Sequence, residues 1–590
     1  MPPAPSRVLL LVVPALLLTA FATASTLLVL RTASPWLSVL LVALLAVSYG
    51  RMTLTAFSAL LGLVPGRRVD PGSAPTIRGR PRTALLVPIY NEPPEAIAAA
   101  IRIMTEALDA ADDVTVFVLS DTQDPALAAR EADLFPLHAV SHSGVTTYYR
   151  RRASNTGRKA GNIGEFCSNA GRDYDFAIML DADSLLTATA VRAMVAAMRD
   201  DARAGLIQSV SYLIGGGTLF ARMQQFAARL NTPLSVAGQH LWQGRRGTYW
   251  GHNAIVRLAP FTRHAELPVL PGRAPMGGEI LCHDTIEAAL LLRAGWEVRL
   301  APEIAGSYET TPSNLVDHLA RERRWCQGNL QHLRLIGGAK LRPESRLHIG
   351  IGILHYVSSP VSLLLSLLLL ANSFLIGHAS GAAPSAWLVQ LLVWLTVFLL
   401  FGPRLASLGR ALLLPGAARG FGGRGRLLAS ALVEQLIAML LSPVLMLSAT
   451  GFVLSTLAGR VVVWNAPARG DRAVGWAEAW RRLRWHTLVG IGTAAALELM
   501  RPAALPWAMP LLLGLVLSVP AALCSGSVRL GRLARRLGLF LTEDELMPPP
   551  ELAALSAFTT DEAATVKPPA LRRPLLPYPV QTVADATAAE

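Results

Sequence analysis

Apolar runs at both ends of the chain enclose a central stretch in which short apolar segments alternate with polar ones. The uncharged run 8–30 is long enough to span a bilayer, and a second apolar run, 34–61, follows it directly. The sequence Ala22-Thr23-Ala24 resembles a signal-peptidase site, but the first run is longer than the apolar h-region of a usual signal peptide and a second apolar run follows at once. We therefore interpret residues 1–65 as a transmembrane hairpin.

Apolar runs return after the centre. Arginine-rich loops flank the run 427–458, which predicts that this run enters and leaves on the same side of the membrane. Because two full crossings fit it tightly, a re-entrant or Pro443-broken hairpin is the alternative. The pattern predicts about eight crossings with both termini cytoplasmic. The returning runs are 348–376, 386–402, 427–458, 486–499 and 503–523.

The texture changes at Arg82 to strands alternating with helices. Amphipathic runs such as 94–108 and 188–199 predict helices, and a polar helix near 315–335 ends the region. This alternation is typical of an α/β domain with a largely parallel sheet. Short apolar runs predict strands at 83–89, 114–119, 176–180, 205–213 and 296–301.

Composition supports a membrane protein with one soluble part. The chain is 52% hydrophobic and only 16% charged, too apolar for a single soluble globule. The net charge of +14 comes mainly from arginine beside apolar runs, which favours cytoplasmic membrane flanks over a nucleic-acid partner. The cysteines are scattered and predict neither a disulfide framework nor a zinc site; they are Cys167, Cys282, Cys326 and Cys524.

These features predict the domain boundaries. The segment around Trp464, Trp476, Trp480 and Trp485 is either an amphipathic interfacial helix or an ordinary juxtamembrane anchor. The predicted parts are a transmembrane hairpin (1–65), a linker (66–81), a cytoplasmic α/β domain (82–340), transmembrane helices (346–460), the interfacial segment (461–485), a second hairpin (486–525) and a partly disordered cytoplasmic tail (526–590).

The stretch 176–184 carries the strongest candidate chemistry. It delivers Asp181 and Asp183 at the carboxyl end of a predicted strand, where ligands bind in α/β sheets. Two carboxylates one residue apart can share Mg²⁺ or Mn²⁺ and leave positions on the ion for a diphosphate. The alternative is that they cap a helix beginning near Thr187.

Other segments offer groups that suit a nucleotide. Tyr90 and Glu92 end the first predicted strand, where the ring can stack on a base. Asp121 ends the second strand and can bond the imide edge of that base. Lys159 begins a helix and suits phosphate charge. Helix caps and a solvated lysine are the alternatives, but the order of these residues favours one converging site.

Asp284 is the candidate general base. An inverting transfer needs one base to deprotonate the acceptor hydroxyl, and this carboxylate precedes a predicted helix, 285–293. The alternative is a plain N-cap. The adjacent His283 either supports the carboxylate or lies on the surface.

A basic and aromatic stretch follows in the polar helix. Arg324 suits the charge of a leaving diphosphate, and Trp325 suits the apolar face of a sugar. A solvated basic helix near the membrane is the alternative for Arg321 and Arg323, but it explains Trp325 poorly.

Together these stretches resemble the processive family 2 glycosyltransferases, the superfamily of cellulose and hyaluronan synthases. Within it they are most similar to the branch that makes osmoregulated periplasmic glucans. Arg321 stands where cellulose synthases have the glutamine of Gln-x-x-Arg-Trp, which also favours this branch. The matching stretches are 88–92, 120–122, 159–162, 181–183, 249–254, 283–284, 323–329 and Trp464-Asn465-Ala466.

The resemblance implies a GT-A (Rossmann-like) catalytic domain embedded in a polytopic α-helical protein of the bacterial inner membrane. It implies UDP-glucose as donor, Mg²⁺ or Mn²⁺ as cofactor, and a β-linked glucan, with β-1,2 as the expected linkage, that is extruded across the membrane. By the same resemblance Gly251, His252 and Asn253 lie near the acceptor end of the growing glucan, with Arg323 beside them. Implied partners are acyl carrier protein and periplasmic glucan-modifying proteins.

Other functions stay open at this point. They are another processive β-glycan synthase, a transferase that glycosylates a lipid phosphate once, and a transporter with a degenerate nucleotide-sensing domain. The many apolar runs after the α/β domain disfavour the single-transfer enzyme, and the full set of acids disfavours the transporter.

Overall fold

The computed structural model describes residues 7–30, 34–65, 80–135, 139–140, 144–338, 340–375, 385–462 and 470–561. Most of the predicted linker, Trp464-Asn465-Ala466 and the end of the tail, 562–590, lie outside these described residues. Within them, an α/β domain contacts a set of long apolar helices.

In the described residues the strands form an eight-stranded and a three-stranded sheet. The large sheet has the order β10-β7-β9-β5-β1-β2-β4-β3, and the small one β6-β11-β8. The strands are β1 Thr83–Ile89, β2 Val114–Ser120, β3 Ala139–Val140, β4 Thr146–Arg151, β5 Phe176–Met179, β6 Leu185–Leu186, β7 Ala204–Gln208, β8 Tyr212–Ile214, β9 Ala254–Arg257, β10 Glu297–Leu300 and β11 Ser307–Thr310.

Helices account for most of the remaining described chain. They are α1 Leu9–Val29, α2 Pro35–Leu60, α3 Pro94–Glu106, α4 Pro125–Leu134, α5 Arg158–Ser168, α6 Ala188–Arg199, α7 Leu219–Gln243, α8 Leu258–His264, α9 Asp284–Arg293, α10 Leu315–Gln331, α11 Pro343–Leu375, α12 Ala386–Leu413, α13 Arg424–Leu457, α14 Trp476–Met500, α15 Leu505–Val516, α16 Ser518–Ser525, α17 Val528–Arg536, α18 Glu543–Leu546 and α19 Pro550–Asp561.

The centre of the large sheet is formed by β1, which is buried along its whole length. It pairs in parallel with β2 on one side and with β5 on the other. The carboxyl ends of these strands therefore meet at one edge of the sheet, as the sequence predicts. The antiparallel β9, which the sequence pattern does not reveal, lies between β5 and β7. The mixed sheet with helices on both faces confirms the predicted GT-A class of fold.

One predicted strand is divided in the structure. The run 205–213 forms β7 and β8, which belong to different sheets. The break has a local cause, because Ser209 turns its hydroxyl and its backbone N–H to the carbonyl of Asn253, at 2.6 and 3.3 Å. The chain therefore leaves the large sheet at this point and enters the small one.

The apolar runs form helices suited to a membrane, with two differences from the prediction. Five described helices are long and apolar enough to cross a bilayer, or six if α15 and α16, bent by 50°, count as one span. The expected two crossings or broken hairpin at 427–458 is wrong, because α13 is one continuous helix that accommodates Pro443. The Trp- and Arg-rich residues from Trp476 onward are also continuous with the next apolar run, in α14.

The first part of the predicted tail is folded against the α/β domain. Leu552 and Leu555 of α19 pack into the core between α3 and the sheet. Arg222 of α7, which is 4% exposed, pairs through both its terminal nitrogens with the carboxylate of Glu545 at 2.7 and 2.9 Å. Residues 526–561 are therefore not an extended tail but a part of the folded structure.

Candidate active site

The Asp-x-Asp pair lies in the turn between β5 and β6. The backbone N–H of Asp181 donates to the hydroxyl of Ser184 at 2.9 Å, which closes the turn. Asp183 accepts a 2.6 Å hydrogen bond from the hydroxyl of Thr310 on β11. Thr187 itself caps α6 by accepting from the N–H of Ala190 at 3.1 Å. The alternative that the two aspartates cap this helix is therefore wrong.

Lys159 joins this pair to a second loop. Its ammonium forms an ion pair with Asp181 and donates to the carbonyl oxygen of Gly251 at 2.8 Å. The same carbonyl accepts from the hydroxyl of Tyr249, also at 2.8 Å. The lysine is therefore a bonded member of the site and not a solvated side chain.

Gly251 also borders the candidate base. Its φ of +91° lies in the left-handed region, which glycine adopts without strain. A Cβ atom at this position would lie 3.5 Å from Oδ2 of Asp284. Asp284 thus lies directly beside Gly251, and Asp181 is joined to the same residue through Lys159.

Asp284 is not the N-cap of its helix. The N-cap position of α9 belongs to His283, which makes no capping side-chain bond, and Asp284 is the first helical residue. His283 is buried, with Nδ1 3.0 Å from a carboxylate oxygen of Glu287. Burial lowers the pKa of His283, but the charge of Glu287 outweighs it and the net shift is upward. His283 therefore supports the start of α9 from inside rather than lying on the surface.

The part of the site that is predicted to bind the nucleotide lies at the carboxyl ends of β1 and β2. The carboxylate of Asp121 is buried and is held by Arg152 at 2.7 and 2.9 Å, a contact that no sequence spacing signals. Asn91 fastens the two strand ends together by donating its N–H to the hydroxyl of Thr122 at 3.0 Å. Asp124, not Asp121, caps α4.

Tyr90 and Glu92 lie beside this junction. The N–H of Tyr90 points to a carboxylate oxygen of the buried Glu92, at 3.4 Å. The N-cap position of α3 belongs to Pro93, so Glu92 is not a helix cap. The structure thus brings both residues to the predicted edge, and their contacts with a donor stay a prediction.

The segment 251–253, which is predicted to lie near the acceptor, is anchored to β11. The amide nitrogen of Asn253 donates to the hydroxyl of Ser307 at 2.9 Å and to the carbonyl of Tyr308 at 3.1 Å. His252 lies with Nε2 3.3 Å from Glu309 Oε2. Burial lowers the pKa of His252, but Glu309 and Asp181 outweigh it and raise the pKa overall. The sequence pattern singled out neither Glu309 nor Thr310.

The arginine and tryptophan stretch lies on α10. Arg323 and Arg324 are partly buried there, and the ring of Trp325 is 44% exposed with the Arg321 guanidinium 4.6 Å from its centroid. The same helix supports the segment before Asp284: Gln331 accepts from Leu281 N–H at 3.0 Å. Helix α10 therefore links the exposed indole to the candidate base.

A mixed sheet whose strand ends bring together an Asp-x-Asp pair, a lysine and a further carboxylate is the arrangement of a GT-A glycosyltransferase. The family comparisons agree with this class. The family described as "Glycosyl transferase family 2" matches residues 84–264, and "Glycosyl transferase family group 2" matches residues 176–463.

Relatives that align with most of this chain identify its family within the glycosyltransferases. "Glucans biosynthesis glucosyltransferase H" of Shewanella oneidensis is 39% identical over 539 residues, which cover 87% of this chain and 73% of the relative. The protein of the same name from Shewanella putrefaciens is 40% identical over 491 residues, or 79% of this chain and 67% of the relative. The chain belongs to the glucosyltransferase H family of glucan-synthesising family 2 glycosyltransferases, which confirms the resemblance found in the sequence.

Solved structures show more distant similarity. A mannosyltransferase from Pyrobaculum calidifontis, in complex with GDP-Man and Mn²⁺, has 18% identity and a TM-score of 0.39, covering 64% of this chain and 99% of its own. Glucosyl-3-phosphoglycerate synthase from Mycobacterium tuberculosis has 15% identity and a TM-score of 0.28, covering 43% of this chain and 80% of its own.

Proposed function

We propose that this glycosyltransferase polymerises glucose from UDP-glucose into a β-linked glucan, with β-1,2 as the expected linkage, and passes the polymer across the inner membrane. One observation carries the proposal. The Gly251 carbonyl, bound by Lys159, places the acidic pair and Asp284 around the same short segment. A donor diphosphate and an acceptor hydroxyl can therefore meet there.

The donor set fits a divalent cation. Asp181 and Asp183 offer hard carboxylate oxygens from one turn, which suits Mg²⁺ or Mn²⁺. Among the described residues, no group of three or more His, Cys, Asp or Glu could hold a metal ion. Asp181 and Asp183 would therefore be the carboxylates that hold the ion. When bound, it would neutralise charge developing on the leaving diphosphate.

The protein residues divide the remaining work. Asp284 takes the proton of the acceptor hydroxyl while the hydroxyl oxygen forms a bond to the anomeric carbon of the donor sugar. At the same time the bond from that carbon to the diphosphate breaks. UDP leaves with the bonding electrons, and the anomeric configuration inverts. Lys159 and Arg324 offset diphosphate charge, and Trp325 supports the apolar face of the acceptor sugar.

A contact between α10, the helix that carries Trp325, and the apolar helix α11 supports extrusion of the polymer. The hydroxyl of Tyr356 on α11 donates a 3.0 Å hydrogen bond to the carboxylate of Glu322 on α10. Trp325 follows Glu322 on the same helix and remains 44% exposed. A glucan end bound at Trp325 would thus lie within one helical turn of the contact between α10 and the apolar helix α11. This observation favours a polymer-exporting enzyme over a single-transfer enzyme.

The activity itself is testable on purified protein. We expect proteoliposomes supplied with labelled UDP-glucose and Mg²⁺ or Mn²⁺ to form a glucan that linkage analysis identifies as β-1,2. Enclosed product that resists an added β-glucanase until detergent is present would show transfer across the bilayer. Incorporation of a single sugar into lipid, without polymer, would contradict the proposal.

The membrane topology can be refined from contacts of α13. Near its start, Ser430 accepts from Phe540 N–H at 3.0 Å, and beyond its end Val462 N–H donates to Gln327 at 2.9 Å. Both ends therefore contact the α/β domain or segments folded on it, which favours α13 lying along the membrane surface, although it is one of the five helices long and apolar enough to cross. The crossings are then α1, α2, α11, α12, the bent pair α15–α16 and α14, which is not among those five. This even number leaves both termini cytoplasmic.

The accessibility of two arginine-rich segments checks this topology. One lies before α13, at Arg419, and the other is the start of α14, at Arg481. We expect cysteines placed at Arg419 and at Arg481 to resist a membrane-impermeant thiol reagent in intact cells and to react after permeabilisation. A cysteine at Leu499, near the far end of α14, is the control that should react in intact cells. Labelling in intact cells at only one of the two positions, Arg419 or Arg481, would show that α13 crosses the membrane.

A further inference from the structure

The part of the chain that follows the last apolar helices returns to the active-site domain. Three acidic residues of α18 contact α7 and β11. Arg229 of α7 lies 2.5 Å from Glu543 and 3.4 Å from Asp544. The amide of Gln225 donates to the hydroxyl of Thr542 at 3.0 Å. These contacts fasten α18 beside the small sheet.

That sheet carries the residue that binds Asp183 and the residue that pairs with His252. β11 supplies Thr310 to Asp183 and Glu309 to His252. Its partner β6 follows the Asp-x-Asp turn directly, and only Ser307 and Tyr308 pair with it. On its other side β11 pairs in parallel with β8 through Tyr308, Glu309 and Thr310. Because both pairings are only two or three residues long, side-chain contacts add to what fixes the position of β11.

Tyr308 provides such a contact. Its hydroxyl donates to Oδ1 of Asp544 at 3.2 Å, and both side chains are buried, at 5% and 7% exposure. Burial raises the pKa of Tyr308, and Asp544 raises it further. The hydroxyl therefore remains protonated and keeps donating. A buried bond thus joins α18 to the residue two positions before Thr310.

A second contact acts on the other side of the Asp-x-Asp turn. The carboxylate of Glu551 accepts from the N–H of Ala188 at 3.0 Å, at the start of α6. An acidic side chain at a helix N-terminus also suits the helix dipole. The C-terminal segment therefore contacts two elements beside the turn: β11, which pairs with β6, through Tyr308, and α6 through Ala188.

We propose that Asp544 is a positioning residue for the donor site, acting through Tyr308 and β11 on Thr310 and Asp183. The inference rests on the proposed function, because it takes Asp183 to hold the cation and diphosphate. It assigns the C-terminal segment to the catalytic unit, although the membrane helices separate the two in sequence.

Two substitutions test the connection with little change of shape. Tyr308→Phe removes the donating hydroxyl, and Asp544→Leu replaces the accepting carboxylate with an apolar side chain of similar size. We expect each to weaken UDP binding in the presence of Mn²⁺ by about fivefold, the scale of one lost buried hydrogen bond. The Mn²⁺ concentration for half-maximal activity should rise similarly while kcat at saturating Mn²⁺ and donor changes by less than about twofold. Binding is measured by titration of the purified full-length protein.

Controls separate positioning from general damage. Glu543→Gln changes a neighbouring carboxylate on the same helix that pairs with Arg229 and is 52% exposed, so it should bind UDP like the parent. The double variant Tyr308→Phe/Asp544→Leu should bind UDP no more weakly than the weaker single variant, because both substitutions remove the same hydrogen bond. Multiplied effects, or parental UDP and Mn²⁺ affinities in folded Tyr308→Phe protein, would overturn the inference.

Asp183→Asn separates a failure of the positioning role of Asp544 from a failure of the proposed metal site. If it loses UDP affinity in Mn²⁺ while Tyr308→Phe does not, only the positioning role is wrong. If Asp183→Asn binds UDP with parental affinity and metal dependence, the proposed metal site is wrong, and the positioning role falls with it.

Discussion

Replacing Asp284 with asparagine is expected to slow glucan synthesis by roughly two orders of magnitude or more while UDP-glucose binding stays close to that of the parent. The carboxylate acts only as the acceptor hydroxyl attacks, so its loss raises the barrier without removing a donor contact. Asparagine has nearly the same shape, and α9 loses no capping bond because the N-cap position belongs to His283. Donor affinity and polymer formation are measured on the same preparation.

A matched carboxylate serves as the control for this experiment. Glu303→Gln changes an acid that is 56% exposed, beyond β10, and should leave synthesis unchanged. Parental activity of Asp284→Asn would move the base elsewhere. A loss of donor affinity would instead place Asp284 in the donor site.

Replacing Asp183 with asparagine is expected to weaken UDP-glucose binding in Mg²⁺ by about tenfold or more and to reduce synthesis by about a hundredfold. The change removes a hard anionic oxygen from the proposed cation site. The amide oxygen can still accept from Thr310, whose hydroxyl lies 2.6 Å from Oδ2, so the turn keeps its anchor. Titration of UDP-glucose with and without the metal measures the effect.

Asp200→Asn is the control, because this exposed aspartate at the end of α6 pairs only with its neighbour Arg199 among the contacts described. It should retain parental affinity and metal dependence. An Asp183→Asn protein with unchanged affinity and unchanged response to Mg²⁺ would contradict the metal assignment.

Strand ends were predictable where a strand is long, apolar and buried. The run 83–89 forms β1 residue for residue, and 176–180 differs from β5 by one residue. Local patterning suffices there because each residue of the strand is buried in the core. By contrast β11, with the sequence Ser-Tyr-Glu-Thr, shows no apolar pattern. Its strand conformation depends on pairing with β6 and β8, which lie far away in sequence.

The same distinction applies to the site. Asp181, Asp183 and Asp284 were found from their positions beside predicted strands and helices. The partners Arg152, for Asp121, and Thr310, for Asp183, could not be found, because each is joined to its acid only by the folded sheet. The packing of the C-terminal segment, which the sequence predicts only as a partly disordered tail, could not be found for the same reason. Its acidic, proline-rich composition predicts disorder, but contacts such as Asp544 with Tyr308 fold residues up to 561 onto the domain.

The sequence by itself determined the apolar helices, the α/β class and the strand-end acids, because these depend on residues that are neighbours along the chain or one helical turn apart. Only the tertiary structure decided which loops meet at Gly251, that α13 is a single helix, and that α18 supports β11. These features depend on contacts between segments separated by tens or hundreds of residues, for which local hydrophobic periodicity carries no signal.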